Sequence, residues 1–442
     1  MLASAIYMVV LIAMLPAYAL SKSYSHEGFF VKLESGKKAD ILKINGIKSI
    51  ESFTYATGLY YVELASSTTL EETKNQLTKL QGIQYTSYNY FRTVDTKAIS
   101  TKSTEAPYPI EKPQTQAKWI DDPNGPVQAA LMSSVPDIWE KYTIGDSKII
   151  IADIDTGVDY NHKDLAANMW RNSGEEGLDQ QGNDKRKNKT DDDKNGYIDD
   201  FIGWNYVDKN NLPWDDHGHG THTSGVAAAV GGNGFGISGV CPRCSIMPLR
   251  FIGANGSGED IDAVRSVEYA IKMKAQIINC SWGGKEESLP LLEIFQAADR
   301  AGIILAVAAG NAGTDINLSG YYPAGFDLPN QLTTAALYTT DVYLPWWSNY
   351  GNIKVHTSIA GDMIESTIPG DEFSPMSGTS MAAPGIAGTA GLILSYRPNL
   401  SGIEIKALMK KYNIPDKGSV SKVAFKGRPD TKKIIKELSE LR

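Results

Sequence analysis

Cysteine is scarce in this chain, with 3 in 442 residues. That excludes a small scaffold held together by disulfides. Basic residues are in the minority: Lys+Arg 43 stand against Asp+Glu 51, a formal charge of −8. A protein that tracks nucleic-acid phosphates needs a basic face, so that class is set aside. Beyond the N-terminus no apolar run approaches the ~18 residues that a membrane helix requires, and no mature membrane span is expected. Internal repeats are also lacking. Charged residues make up 21% and hydrophobic residues 42%. These values lie near the globular average and exclude a wholly disordered, collagen-like or coiled-coil chain. At roughly 150 residues per domain, the length suggests two or three domains, each able to bury a core.

What is there changes character along the chain. Residues 1–19 are a short apolar stretch ending in Ala17-Tyr18-Ala19, a small-x-small cleavage pattern. No Lys or Arg precedes the apolar stretch, yet the pattern is that of a secretory signal peptide, so a secreted or periplasmic product is expected. Residues 20–95 read as a small α+β unit. Segments 29–33 and 58–64 are strand-like, rich in aromatic and β-branched residues. Thr69 and Glu72 stand in capping-box register, and Leu70, Leu77 and Leu80 share one face of a helix over 69–80. Residues 96–126 carry Pro107, Pro109, Pro113, Pro123 and Pro126 among Thr, Lys, Ser and Gln. Such a stretch buries little surface and reads as an exposed linker, the kind of segment that proteases cut.

From 127 to 442 the pattern becomes apolar run, turn, helix, repeated. The runs 149–154, 245–249, 277–280 and 303–307 do not alternate between apolar and polar residues. Strands of that kind are buried on both faces, which predicts an α/β fold with a doubly wound, mostly parallel sheet and helices on both sides. In such sheets ligands sit at the carboxyl ends of the strands. Asp155-Thr156-Gly157 follows the first run, and Ala308-Ala309-Gly310-Asn311 ends the run 303–307. Two further segments open small-residue helices: His219-Gly220-Thr221-His222-Thr223-Ser224-Gly225 and Gly378-Thr379-Ser380-Met381-Ala382-Ala383-Pro384.

These residue types suit one chemistry. A serine hydroxyl needs a base to take its proton, and the base needs a carboxylate to fix its tautomer. Asp155, His219 and Ser380 supply the three types. Ser380 would sit at a helix N-terminus, where free N–H groups face developing negative charge. The Asn311 amide can donate to the same oxyanion.

In order and spacing, the chain resembles the subtilisin-like serine proteases. The matching strings are IIIADIDTGVD around Asp155, DDHGHGTHTSGVAAA around His219, INCSWGG at 278–284, AVAAGN ending at Asn311, and PMSGTSMAAPGIAG around Ser380. The likeness covers about 135–430, within a catalytic domain expected over 127–442. The resemblance implies a serine endopeptidase that hydrolyses polypeptide substrates through an acyl-enzyme on Ser380. It implies that Ser281, Trp282 and Gly283 pair with the substrate backbone, with Ser257 and Gly258 on the opposite side. Ala308, Ala309 and Gly310 would wall the primary pocket, and Trp282 would narrow the outer subsites. Residues 70–94 resemble the second helix and last strand of the family's inhibitory prodomain, with Ser87-Tyr88-Asn89-Tyr90 where Glu-Pro-Asn-Tyr is usual. A prodomain over 20–95 would template folding, block the cleft as an intramolecular inhibitor, and leave by self-cleavage within 96–116.

Metal and thiol signals are separate. Asp191, Asp193, Asn195 and Gly196 follow D-x-D-x-N-G, the first half of a calcium loop. Position twelve is Ile202 rather than Glu, so Asp199 or Asp200 is expected to substitute. The plain alternative is a solvated acidic loop. Asp164 and Asn233 match a weaker, second calcium position of the family. No organic cofactor is expected. His217, His219 and His222 lack the H-E-x-x-H spacing of zinc helices and read as one base with two supporting histidines. Cys241 and Cys244 form C-x-x-C, either a local disulfide, favoured under an export signal, or a redox pair. Cys280 reads as a core thiol. Ile434, Ile435, Leu438 and Leu441 make an apolar stripe expected to pack on the domain.

Two other functions share part of this pattern. Asp155-Thr156-Gly157 is also an aspartic-protease signature, but that reading leaves the Ser380 and His219 segments unexplained. A catalytically inactive subtilase fold acting as a calcium-dependent binding module leaves no reason for Asp155, His219, Asn311 and Ser380 to coexist. A monomer is expected.

Overall fold

The computed structural model describes residues 23–34, 44, 46–65, 70–96, 98–99, 106–113 and 122–440. The expected leader at 1–19, the Thr69 cap, Leu441 and parts of the linker 96–126 lie outside the described residues. Seven strands build the central sheet. From edge to edge they run Thr357–Ala360, Gln331–Leu337, Ile304–Ala308, Ile277–Cys280, Ile150–Asp155, Ser245–Arg250 and Trp204–Asn205. Every neighbouring pair is parallel. Chain order reverses direction between Ile150–Asp155 and Ile277–Cys280, which makes that crevice the topological switch point.

The apolar runs are explained by burial on both sides. Successive residues of a strand point to opposite faces. Ile277 and Ile304 enter one core, while Ile278 and Leu305 enter the other. The first core is shared with helices His219–Ala228 and Thr379–Tyr396, the second with Asp260–Lys272 and Leu289–Arg300. This is the doubly wound α/β arrangement expected from the sequence.

Helix Thr379–Tyr396 is buried from Thr379 to Leu394. Its small residues set how closely other elements approach. A Cβ on Gly388 would lie 2.7 Å from the Ala227 carbonyl oxygen and 2.6 Å from the Val240 Cβ. Helix Thr431–Glu440 buries Ile434, Ile435 and Leu438 against this domain, as its stripe predicts. Cys241 and Cys244 are joined by a disulfide, and Cys280 is a buried free thiol.

The N-terminal unit is an antiparallel sheet in the order Ile47–Ser52, Leu59–Leu64, Tyr24–Leu33, Ile83–Thr93. Helix Leu70–Leu77 covers one face, over Phe29, Val31, Val62 and Leu64. It is shorter than the expected 69–80, because residues 78–80 form turns. Phe30, Leu59 and Tyr61 point the other way and join the second core of the large domain. Strand Ile47–Ser52 escapes sequence reading because it is a partly exposed edge of mixed polarity.

Gly388→Ala is expected to destabilise the chain by about 1–3 kcal/mol, because the Ala227 carbonyl and the stiff, β-branched Val240 occupy the space. Urea unfolding would show this as a lower midpoint at unchanged slope.

Candidate active site

Strand Ile150–Asp155 ends by delivering Asp155 to the switch point, and Gly157 turns the chain there with φ +99°. A Cβ at Gly157 would lie 2.7 Å from the carbonyl oxygens of Pro213 and Trp214. Helix His219–Ala228 then approaches so closely that a Cβ on Gly220 would sit 2.1 Å from the Gly157 oxygen. The result is a hydrogen bond of 2.7 Å between His219 Nδ1 and Asp155 Oδ1, with both side chains wholly buried. His219 Nε2 is buried with no hydrogen-bond partner.

Two more carboxylates shape the field. Asp215 accepts from the backbone N–H groups of His217, Gly218 and Thr221 and from the hydroxyls of Thr156 and Thr221, which pins the start of the helix. Asp153 accepts from Thr223, Ser224 and Asn279. Burial and then the neighbouring Asp155 charge push Asp153 up to about 7. Burial by itself would depress the His219 imidazole. The charges of Asp155, Asp153 and Asp215 outweigh it, so the His219 pKa lies above the ordinary histidine value. Sequence reading missed Asp153 and Asp215. Both lie inside the quoted strings, but nothing in the spacing shows that they surround the imidazole.

Ser380 lies in the first turn of helix Thr379–Tyr396, which packs against the His219 helix. Pro384 has no N–H to give the carbonyl four residues back. That carbonyl, of Ser380, accepts from the Ser281 hydroxyl at 2.9 Å. The Ser380 hydroxyl in turn donates to the Ser281 carbonyl oxygen at 2.9 Å. The amide oxygen of Asn311 accepts from Thr379 N–H and Oγ1, each at 2.9 Å, which leaves its Nδ2 to donate. That donor meets the Asp95 carboxylate at 3.2 Å. Asp155, His219, Asn311 and Ser380 thus collect at the carboxyl ends of the strands.

The segment before Asp95 runs between two others. Phe91, Arg92 and Thr93 pair antiparallel with Glu259, Gly258 and Ser257. Thr93 exchanges both backbone hydrogen bonds with Gly283 on its other side, at 3.1 and 3.2 Å, and Val94 N–H donates to the Gly256 oxygen at 3.1 Å. Ser257, Gly258 and Gly283 therefore flank one extended strand. Ala308, Ala309 and Gly310 precede Asn311, with the Tyr321 ring against Gly283 and Gly310. Trp282 is buried between Phe251 and Phe295, and its Nε1–H donates to the Ile154 oxygen at 2.7 Å.

The expected metal residues are brought together only in part. Asp193 and Asp200 converge with Glu175, one carboxylate oxygen of each lying within 4.8 Å of the others. Asp191 instead accepts from the N–H groups of Asn195 and Gly196, and Asp199 from that of Lys189. Asn195 donates its amide to Asp193 and Asp200. Glu175 lies far upstream of the loop, so no spacing rule finds it. Its Oε2 is buried without a partner, and burial pushes its carboxyl up to about 7. Hard oxygens, one of them orphaned, fit a divalent cation such as Ca²⁺. Asp164 and Asn233 also meet, by a direct 2.8 Å hydrogen bond, while the other Asp164 oxygen accepts from Ile237 N–H. His222 Nε2 faces the carbonyl oxygens of Ile364 and Ser374, and burial lowers its pKa to about 3, so it is held neutral.

If the Glu175 cluster holds Ca²⁺, adding the ion to metal-free protein should stabilise it by about 2.7 kcal/mol at a free concentration 100 times Kd. Glu175→Gln should remove most of that gain. An unchanged melting curve would take the ion away from this cluster.

The family model described as "Subtilase family" matches residues 146–425. Thermitase of Thermoactinomyces vulgaris is 32% identical over 268 residues, which is 61% of this chain and 82% of that protein. Subtilisin-like protease 1 of Plasmodium berghei (strain Anka) is 31% identical over 303 residues, 64% of this chain and 49% of that protein, so the chain spans about half its length. The solved structure titled fervidolysin from Fervidobacterium pennivorans, "a keratinolytic enzyme related to subtilisin", has a TM-score of 0.70 at 22% identity. It covers 94% of this chain and 62% of that one, and supports the fold.

Proposed function

This chain belongs to the subtilase family, and from that premise we propose that it is a secreted serine endopeptidase made as a zymogen. The observation that carries the reading is the buried Asp155–His219 hydrogen bond of 2.7 Å, with Ser380 in the first turn of the helix that packs against the His219 helix. Ser380 attacks the peptide carbonyl, and His219 Nε2 takes the hydroxyl proton and later gives it to the leaving amine. Asp155 holds the His219 tautomer and stabilises the imidazolium. For the first step the Ser380 hydroxyl must leave the Ser281 carbonyl, since it has one proton to donate. The Asn311 amide and the Ser380 N–H then hold the oxyanion. An amide donor of this kind is typically worth about 10²–10³ in kcat.

Residues 20–95 act in this reading as the inhibitory prodomain, with the following linker open to cleavage. The flanked strand ending at Asp95 supports it, because a backbone held on both sides is how an extended peptide is gripped by strand addition. We assign the maturation cut to the Asp95–Thr96 bond. Its support is the Val94 bond to Gly256 and the Asp95 contact with Asn311. Calcium, held by Glu175, Asp193 and Asp200, would neutralise the gathered carboxylates and stiffen the loop around them. A non-catalytic binding module is not favoured by any observation of the site.

Ser380→Ala should accumulate as full-length precursor, whereas the unaltered chain should begin at Thr96 and carry one fluorophosphonate adduct by intact mass. Loss of the N-terminal unit from pure Ser380→Ala would contradict self-cleavage. Below its raised pKa His219 is protonated and cannot act as base. The kcat/KM of the processed enzyme should therefore rise with pH through a midpoint above about 6.5, and a flat profile would count against a histidine base.

A further inference from the structure

We infer that the cleft contains an arginine-selective subsite built on Asp260, which reads the side chain three residues before the one at the scissile bond. The inference rests on the serine-endopeptidase reading above and adds the chemistry of its substrates. Along the flanked strand, Arg92 and Val94 turn inward while Phe91, Thr93 and Asp95 stay exposed. The Arg92 side chain is 0% exposed, as is that of Asp260. Its Nε donates to Asp260 Oδ1 at 2.5 Å and its Nη2 to Oδ2 at 3.0 Å, a bidentate pair. Nη1 donates to the Glu286 carbonyl oxygen at 2.9 Å. Gly284 makes the slot possible, since a Cβ there would lie 2.9 Å from Nη1.

The slot itself belongs to the large domain. Asp260 is the first residue of helix Asp260–Lys272, and Glu286 and Gly284 follow the strand Ile277–Cys280. The helix N-terminus complements a carboxylate's negative charge, and Asp260 stays with the large domain when the N-terminal unit departs. A guanidinium matches the two carboxylate oxygens in a plane and still has a donor for the Glu286 carbonyl. An ammonium is a point charge and meets fewer of these acceptors. An apolar side chain would bury the Asp260 charge with no partner, the costly case. The geometry therefore selects polypeptides carrying Arg at this position.

The test uses the processed enzyme and a fluorogenic peptide copying residues 88–99. Companion peptides carry Lys, Leu or the uncharged isostere citrulline in place of Arg92. Leu is expected to lower kcat/KM on the order of 10²-fold or more, with Lys and citrulline between. Equal turnover of the Arg and Leu peptides would overturn the subsite and leave the protease reading standing. No turnover of any peptide, together with no fluorophosphonate adduct on processed chain, would overturn both. Asp260→Leu alone would strand Arg92 in the precursor. The double variant Arg92→Leu/Asp260→Leu removes both charges, and its processed form should prefer the Leu peptide. Retained preference for Arg in that variant would also overturn the assignment.

Discussion

A parallel sheet covered on both faces has only its strand ends free to carry polar groups. That constraint organises the whole molecule. Each of the five inner strands contributes apolar residues to two cores at once, as Ile277 and Ile278 do. Polar side chains gather at the carboxyl ends, where Asp155, Ser281 and Asn311 emerge beside the switch point. The two helices that bring His219 and Ser380 must then pack almost without side chains between them and the loops. Gly157, Gly220 and Gly388 meet that need.

Close packing carries an electrostatic cost, since carboxylates lose water at the same place. Asp153, Asp155 and Asp215 are all buried around one imidazole. Each is tied to hydroxyl, amide or backbone N–H donors, so the site is held by a hydrogen-bond network rather than by solvent. The gathered negative charge is what lifts the His219 pKa against its own burial. A base that binds its proton more tightly is a better acceptor for the hydroxyl proton of a serine, provided the pH leaves it neutral.

The N-terminal unit meets the large domain by the same physics in reverse. Its sheet gives one face to its own helix and the other to the large domain's second core, through Phe30, Leu59 and Tyr61. Several of its polar contacts reach helices Asp260–Lys272 and Leu289–Arg300. Asn89 accepts from the Ile261 N–H at 2.9 Å, Tyr85 donates to Glu293 at 2.6 Å, and Lys32 pairs with the same Glu293. The strand Ile83–Thr93 continues this contact directly into the cleft, where it pairs with Ser257–Glu259.

The sequence by itself determined a parallel sheet, through four of its seven strands, the helices that open at His219 and Thr379, and the four residues at these strand and helix ends. It did not determine helices Asp260–Lys272 and Leu289–Arg300 or the strand Gln331–Leu337, whose apolar run is broken by threonines. Periodicity and short motifs are local, and burial on both faces leaves an unbroken apolar run that can be read without a partner. The N-terminal strands over 29–33 and 58–64 were legible because they are rich in aromatic and β-branched residues, whereas the edge Ile47–Ser52 carries no such pattern. Only the tertiary structure decided that Glu175, rather than Asp191 or Asp199, completes the acidic cluster. Only the tertiary structure put Asp153 and Asp215 around His219, and Asp260 beneath Arg92. These groups are far apart along the chain or hidden within a motif, and what joins them is the depth at which packing buries them. A buried charge must find its partner wherever the fold provides one, and spacing along the sequence does not record where that is.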